Sequence, residues 1–336
     1  MDSRVCVTGA SGLLGSYLCV ELLKAGRSVR ALRRPTSNLS WFNRIVEREL
    51  GESREELMQH FSWIEGDVTD VVSLEEAFES CSEIYHAAAL VSFAKKDRRM
   101  LDKVNVLGTA NVINVSLAMS SKPNVCFVSS TATMGKVENS PVDETISFNH
   151  DYVNSYYSKT KYDAELEAIR GREEGLNVAI INPCIILGFG NWNSGSAGFF
   201  KNARNGFPFY TGGANAFVDV RDVASCSRKL MDMNLFDGRY LCTGWNKKFV
   251  EVFRLLANEF DSKPPRIEVK PWMAEIAWRI SGILQFFTGN GLITKESARA
   301  GLRDVAYSSE RLKTDTGHTF HAFEDAMKYH VAGFIE

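Results

Sequence analysis

The sequence predicts an α/β fold, a doubly wound parallel sheet at the start of the chain followed by a smaller C-terminal lobe. Three observations predict it. Short β-branched and apolar runs alternate with segments of helical period from the first residues onward, the pattern of βαβ units. A glycine-rich turn joins the first apolar run to the first helical one. After Pro183 the alternation breaks into a segment rich in glycine, asparagine and aromatic residues, Gly188 to Phe217.

Six strands fit the apolar runs Arg4 to Thr8, Ser28 to Leu32, Phe61 to Glu65, Glu83 to His86, Val125 to Ser129 and Val178 to Asn182. Between them, Leu14 to Lys24, Asp97 to Ala118 and Tyr156 to Glu174 carry apolar residues at helical spacing with charges between. The charged stretch Asn38 to Gln59 exceeds a plain crossover and reads as a helical, solvated surface insertion. Residues 1–183 are expected to form the Rossmann-type dinucleotide-binding domain, with 217–243 returning to it. Residues 184–216 and 244–336 are expected to form a substrate lobe over the sheet's carboxyl edge, where ligands of such folds bind.

Composition narrows the partners. The chain has 336 residues, 45% hydrophobic and 24% charged, with a formal net charge of -2 and both signs spread along it. No basic surface is available to neutralise a run of phosphates, so nucleic acid is not an expected partner. The seven cysteines (6, 19, 81, 126, 184, 226, 242) lie far apart, several inside apolar runs, which is the usage of buried thiols in a reducing compartment. The first strand starts too close to Met1 for a cleavable leader, and a cytoplasmic protein is expected. Met273 to Phe287 is the most apolar stretch, but Glu275 and Arg279 interrupt it and it is shorter than the roughly 20 residues a span needs. A packed amphipathic helix is the expectation there, with peripheral membrane contact the less favoured one.

Gly9, Gly12 and Gly15 follow a strand and open a helix at the spacing Gly-x-x-Gly-x-x-Gly. Gly9 permits the tight turn, Gly12 lets backbone approach a pyrophosphate, and Gly15 allows close packing of helix on sheet. With Ser11, Leu13 and Leu14 they present free N–H groups at the helix N-terminus to an anion. Arg33 and Arg34 end the second strand, where an acidic residue would serve a ribose 2′-hydroxyl and an arginine a 2′-phosphate. NADP(H) is therefore favoured over NAD(H). The alternative for both arginines is simple surface exposure.

Tyr157 and Lys161 are spaced i, i+4 at the start of a helix, which puts them on one face. Nearby positive charge from Lys161 and an oxidised nicotinamide would favour the phenolate, so that Tyr157 exchanges a proton near neutral pH. Tyr156 and Lys159, spaced i, i+3, compete for the assignment. Ser129, Ser130 and Thr131 place hydroxyls at the end of the fifth strand, where a substrate carbonyl oxygen needs a donor. Ser129 has the alternative of satisfying backbone groups at the strand end. His60, His150, His318, His321 and His330 share no ligand spacing with acids or cysteines, and no metal is expected.

The glycine turn preceded by Thr8, Gly66-Asp67-Val68 after the third strand, His86-Ala87-Ala88-Ala89 at the fourth, Asn105-Val106-Leu107-Gly108-Thr109-Ala110-Asn111 and the Tyr-x-x-x-Lys helix together resemble the extended short-chain dehydrogenase/reductase superfamily, over residues 4 to about 183. The resemblance implies that Asp67 and Val68 contact adenine, that Ala87, Ala88 and Ala89 lie beside the cofactor, and that Arg34 holds the 2′-phosphate while Arg33 stacks on adenine. It implies hydride transfer at the nicotinamide, with Tyr157 exchanging the oxygen's proton and Lys161 also holding the nicotinamide ribose. The family's Tyr-x-x-x-Lys pattern sets Tyr156 and Lys159 aside. Counting back from Gly135 assigns the orienting hydroxyl to Ser130, with Thr131 as fallback. Asn105 is implied either to support a relay water or to order the active-site helix, with a purely structural role as the alternative. Pro183 borders the nicotinamide, although Asn182 stands where the family carries arginine.

Within the superfamily, the Asp-Glu pair of the dehydratases is missing after Ser130, and Asn215 stands where the epimerases carry a diphosphate-binding arginine. Phe189, Trp192, Phe199, Phe200, Phe207, Phe209 and Tyr210 suit an apolar ligand, although some must be core. The expectation is reduction of a ketone, or oxidation of the corresponding alcohol, in a hydrophobic small molecule. A nucleotide-sugar epimerase using Lys201, Arg204 and Arg239 is the second reading, and a non-catalytic NADP sensor a third. By resemblance, a homodimer would form through the helices Asp97 to Ala118 and Tyr156 to Glu174.

Overall fold

A computed structural model describes residues 4–135, 137, 140–149, 155–273, 275–276 and 301–336. Its strands are β1 (Arg4–Thr8), β2 (Ser28–Arg33), β3 (Phe61–Glu65), β4 (Cys81–His86), β5 (Asn124–Val128), β6 (Val178–Pro183), β7 (Ile185–Leu187), β8 (Phe209–Thr211), β9 (Ala214–Asp219), β10 (Arg239–Cys242), β11 (Trp245–Lys248) and β12 (Ile267–Val269). Seven form one sheet in the order β10-β6-β5-β4-β1-β2-β3, all pairs parallel. Strand order reverses between β1 and β4, and the crevice at that switch point lies above the carboxyl ends of both strands.

The apolar runs form strands because both faces of the sheet are covered. Side chains alternate between faces along each strand. Val5 and Val7 of β1, Tyr85, Val128 and Ile181 enter one core with the helices Leu13–Lys24, Ser40–Leu50 and Val220–Asp232. Cys6, Ile84, Phe127 and Ile180 enter the other, against Val71–Phe78, Gly108–Ala118 and Tyr156–Glu173. β6 is buried at every position, which is why its six residues include no charge.

Two sequence expectations change. The insertion at 38–59 is not simply solvated: Phe42, Ile45, Val46 and Leu50 of its helix are buried, with Phe42 against Phe61 and Trp63 at 5.2 and 4.6 Å. The helix expected over Asp97 to Ala118 is interrupted by a π-helical turn, Asp102–Leu107, between the helices Arg98–Leu101 and Gly108–Ala118. That turn carries Asn105, and a Cβ at Gly108 would fall 2.7 Å from Val68 Cγ2. Glycine lets the helix seat on the loop after β3.

Beyond Pro183, β7, β9 and β11 make a three-stranded sheet, β8 pairs with β12, and β10 returns to the main sheet beside β6. The C-terminus is tied back by histidines whose partners were not visible in the sequence. His318 Nε2 and His321 Nδ1 lie 3.1 and 2.7 Å from Asp222 Oδ1. His330 accepts from the Phe189 N–H at 3.1 Å and faces Asp219. All seven cysteines are buried free thiols. Most of the apolar stretch Met273 to Phe287 falls outside the described residues, and among those described no helix is long and apolar enough to cross a membrane.

Candidate active site

The glycine turn has no room for side chains where it matters. Gly9 has φ +70°, and a Cβ there would lie 2.7 Å from the Ala88 backbone. A Cβ at Gly15 would lie 2.1 Å from Gly9 O. Above Gly12, which is exposed, an added Cβ would meet only Gly9 O at 3.2 Å. The helix Leu13–Lys24 that follows has no side-chain cap and no acidic residue in its first turn. Its first N–H groups are free for an anion.

A buried hydrogen-bond chain fixes that turn to the neighbouring strand end. The Ala88 N–H donates to Thr8 Oγ1 at 3.3 Å, and Thr8 Oγ1 lies 2.7 Å from His86 Nδ1. His86 Nε2 lies 3.0 Å from Thr109 Oγ1, which donates to Asn105 O at 2.6 Å. Because Thr109 spends its proton on Asn105 O, His86 donates from Nε2 and accepts at Nδ1, the neutral tautomer. Burial and the Lys161 charge push the His86 pKa down to about 3, in agreement with that assignment. The alanine run 87–89 therefore lies beside Gly9 at the switch point.

Asp67 turns its carboxylate onto Thr69, N and Oγ1, both at 2.8 Å, and Val68 is buried with its carbonyl accepting from Asn111. Arg33 pairs with Glu65 at 2.8 Å and its buried Nε has no partner among the described residues. Arg34 is exposed, and its guanidinium makes no hydrogen bond or ion pair among the described residues. Closed glycine contacts, open space over Gly12 and an uncapped helix N-terminus fit a dinucleotide.

Ser155 caps the helix Tyr156–Glu173 by accepting from the Ser158 N–H at 3.0 Å, which starts the helix in time to carry Tyr157 in its first turn. Ser158 Oγ donates to Ala132 O and joins this helix to the turn Thr131–Thr133, whose N-cap is Ser130. Burial pushes Tyr157 up to about 12, against the lowering effect of the neighbouring Ser130 hydroxyl. Thr131 has the same effect on Tyr307. Phe93 packs edge-on to Tyr157 at 5.8 Å, a contact with no signal in the sequence beyond an isolated aromatic in a polar loop.

Lys161 is 2% exposed, donates to Val128 O at 2.8 Å and stands 4.6 Å over the Phe127 ring. Desolvation lowers its pKa to about 8, opposed by Glu165. The Lys161 ammonium is turned toward the end of β5. The rejected pair points elsewhere: Tyr156 donates to Asp102 at 2.7 Å and Lys159 to Asp163.

Asn105 is spent on structure in this arrangement. Its Oδ1 accepts from the Leu90 N–H at 2.7 Å, and Nδ2 donates to Leu90 O and Thr160 Oγ1 at 3.0 and 3.2 Å. It joins the loop after β4 to the Tyr157 helix. Asn182 Nδ2 reaches Glu165 at 2.7 Å, and Pro183 ends β6 next to it.

Much of the aromatic surface proposed for substrate is core. Phe189 and Phe200 are fully buried, Trp192 stacks on Phe334 at 5.0 Å and Phe199 on Phe253 at 5.1 Å. Phe207, Phe209 and Tyr210 keep exposed surface. The cations of the epimerase reading do not converge. Lys201 donates to Asn193, Arg204 lies over Trp192, and Arg239 is bound to Glu165 and to the carbonyls of Glu144 and Ile146.

Residues 5–240 match the model of the NAD dependent epimerase/dehydratase family. The chain belongs to that family. It is 30% identical over 273 residues to sterol demethylase protein B of Methylococcus capsulatus, covering 79% of this chain and 77% of that protein. To cinnamoyl-CoA reductase 1 of Oryza sativa subsp. japonica it is 31% identical over 274 residues, covering 77% of each. Among solved structures, that of gox2253 superimposes with a TM-score of 0.80 at 26% identity, covering 100% of this chain and 98% of that one. The UDP-glucose 4-epimerase of Thermus thermophilus in complex with NAD gives 0.74 at 18% identity, covering 99% of each chain, a likeness of fold. This family member is thus an extended short-chain dehydrogenase/reductase with a Rossmann-type sheet and an NAD(P)-dependent enzyme.

Proposed function

We propose that this enzyme is an NADP(H)-dependent reductase of a ketone or related carbonyl in a hydrophobic small molecule, or runs the reverse oxidation of the alcohol. The observation that carries the reading is a half-buried Tyr157 one helical turn from the buried Lys161, on a helix that Ser158 Oγ ties, through Ala132 O, to the turn capped by Ser130. A bound nicotinamide would supply or accept the hydride at its C4.

The protein's own residues do the rest. Gly9, Gly12 and Gly15 with the N–H groups of residues 11–14 hold the pyrophosphate, while Asp67, Val68 and the alanine run 87–89 border the adenine and the cofactor's inner face. Arg34, exposed and without a protein partner among the described residues, takes the 2′-phosphate, and Arg33, already tied to Glu65, covers the adenine. Ser130 orients the substrate oxygen, and Tyr157 gives it a proton as the carbonyl carbon is reduced. Lys161 supplies positive charge beneath Tyr157 and holds the nicotinamide ribose, with Pro183 at its edge and Asn105 fixing the helix.

The reductases among the relatives, the cinnamoyl-CoA reductase and a putative dihydroflavonol 4-reductase of Synechocystis sp. that is 30% identical over 224 residues, support the carbonyl reading. The exposed apolar residues Met100, Leu107 and Leu166 on the helices at 98–118 and 156–173 support a homodimer through those helices.

The test is consumption of NADPH and NADH by purified protein against aromatic, steroidal and alicyclic ketones, with UDP-sugars assayed separately. Ketone turnover preferring NADPH supports the reading. Epimerised sugar without net cofactor consumption contradicts it.

A further inference from the structure

Glu165 is 1% exposed and lies one helical turn beyond Lys161 and two beyond Tyr157, so the three share a face of the helix Tyr156–Glu173. A buried carboxylate is costly unless donors satisfy its lone pairs. This one has donors from three other parts of the chain. Ser129 Oγ, on the turn after β5, donates to Oε2, and Thr133 Oγ1 of the same turn lies 2.9 Å from it. Asn182 Nδ2 of β6 donates to Oε2 at 2.7 Å, and Arg239 Nη1 of β10 to Oε1 at 3.2 Å.

The same side chains converge on Ser130. Its carbonyl lies 3.2 Å from Asn182 Nδ2 and 2.9 Å from Thr133 Oγ1, whose one proton serves either it or Glu165. Thus the peptide that carries the orienting hydroxyl and the helix that carries the proton donor share one anionic anchor. The chain places Asn182 where the superfamily pattern carries arginine, and Arg239, from the returning strand, brings the guanidinium instead.

We propose that Glu165 is a positioning residue for the proton-transfer site: its carboxylate locks the Ser130 turn to the Tyr157 helix and stands as counter-charge one turn below Lys161. The proposal rests on the reductase reading of that site. Two consequences separate it from a merely structural role. Displacement of Ser130 by about 1 Å at fixed cofactor affinity costs rate rather than binding, by up to about 100-fold. The charge of Glu165 favours the ammonium of Lys161 against its burial. The other groups facing Lys161 are the neutral His86 of β4, the Phe127 ring and Val128 carbonyl of β5, and Tyr157 on its own helix, with Arg239 beyond Glu165.

The experiment compares Glu165→Gln, Glu165→Asp and Asn182→Ala. NADPH affinity, kcat against pH, and the titration of the Lys161 ammonium in 15N-lysine-labelled protein, assigned with Lys161→Arg, are measured for each. Glu165→Gln is expected to lower kcat about 10-fold or more with NADPH affinity within about 2-fold, and to move the Lys161 midpoint down by about one pH unit. Glu165→Asp keeps the charge, so its kcat falls while the midpoint stays. Asn182→Ala loosens the Ser130 turn alone and gives the same split as Glu165→Asp, which keeps the test open if the glutamine variant does not fold. An unmoved midpoint in Glu165→Gln, or wild-type kcat in all three variants, overturns the proposal. The lysine titration needs no turnover and therefore tests the charge relationship even if the reductase reading fails.

Discussion

The Lys161 ammonium donates to the Val128 carbonyl at 2.8 Å, so the cation of the site is anchored to the end of β5 and buried under the Tyr157 turn. Burial weakens its hold on the proton and sets its pKa at about 8. In the reductive direction a charged Lys161 and a protonated Tyr157 are both needed. NADPH-driven turnover is expected to be level below about pH 8 and to fall above it, whereas Tyr157, raised to about 12, contributes no break in the accessible range. A kcat/KM profile from about pH 6 to 10 checks this, and a rate still rising through pH 9 contradicts it.

Gly15→Ala would put a methyl 2.1 Å from Gly9 O, against backbone that cannot yield without opening the turn. The variant is expected to lose roughly 2 kcal/mol or more of stability and most of its cofactor binding. Thermal melts with and without NADPH check both. A normal melting temperature together with normal cofactor-induced stabilisation would contradict the close-packing argument.

Arg34→Ala removes an exposed guanidinium with no competing protein partner among the described residues. A charge-assisted hydrogen bond contributes about 1.5–3 kcal/mol, so NADPH affinity should drop roughly 10- to 100-fold while NADH affinity holds. Isothermal titration with both cofactors reads this directly. Equal losses for the two would remove Arg34 from the 2′-phosphate.

His318 is raised from its ordinary 6.5 to about 9, burial lowering it and the neighbouring Asp222 and Cys226 overriding that. A histidine whose folded pKa is raised contributes stability that is full below about pH 6.5 and is lost as pH rises through about 9. Asp222, held below its ordinary 3.8, works in the opposite sense and loses its contribution as pH falls through the acid range. The melting temperature should therefore fall by a few degrees between about pH 6 and 9.5, and the fall should shrink in His318→Gln. A variant with the full wild-type pH dependence would show that the pair is not its source.

The main sheet was legible because βαβ alternation and the glycine turn are local patterns, and β1 to β6 follow from short β-branched and apolar runs to within two residues at their ends. The π-turn at Asp102–Leu107 was not, nor was the seat of Gly108 against Val68, a contact between distant segments. Tyr157 and Lys161 could be chosen by spacing, but the direction of the Lys161 ammonium could not. Phe189 and Phe200 looked like substrate surface because an aromatic-rich loop and a core segment have the same composition, and only Trp41 and Phe334 packing around them decides. The partners of Glu165, His318 and His321 are remote in sequence, and charge pairing of that kind leaves no periodic trace.

The central claim is that Tyr157 gives the proton while Ser130 orients the oxygen. The most direct measurement is turnover of the best ketone substrate by Tyr157→Phe beside NADPH binding by the same protein. A loss of about 100-fold or more in kcat, with NADPH affinity and melting temperature close to wild type, is the predicted result. Wild-type turnover by Tyr157→Phe would contradict the account, whatever the cofactor preference proves to be.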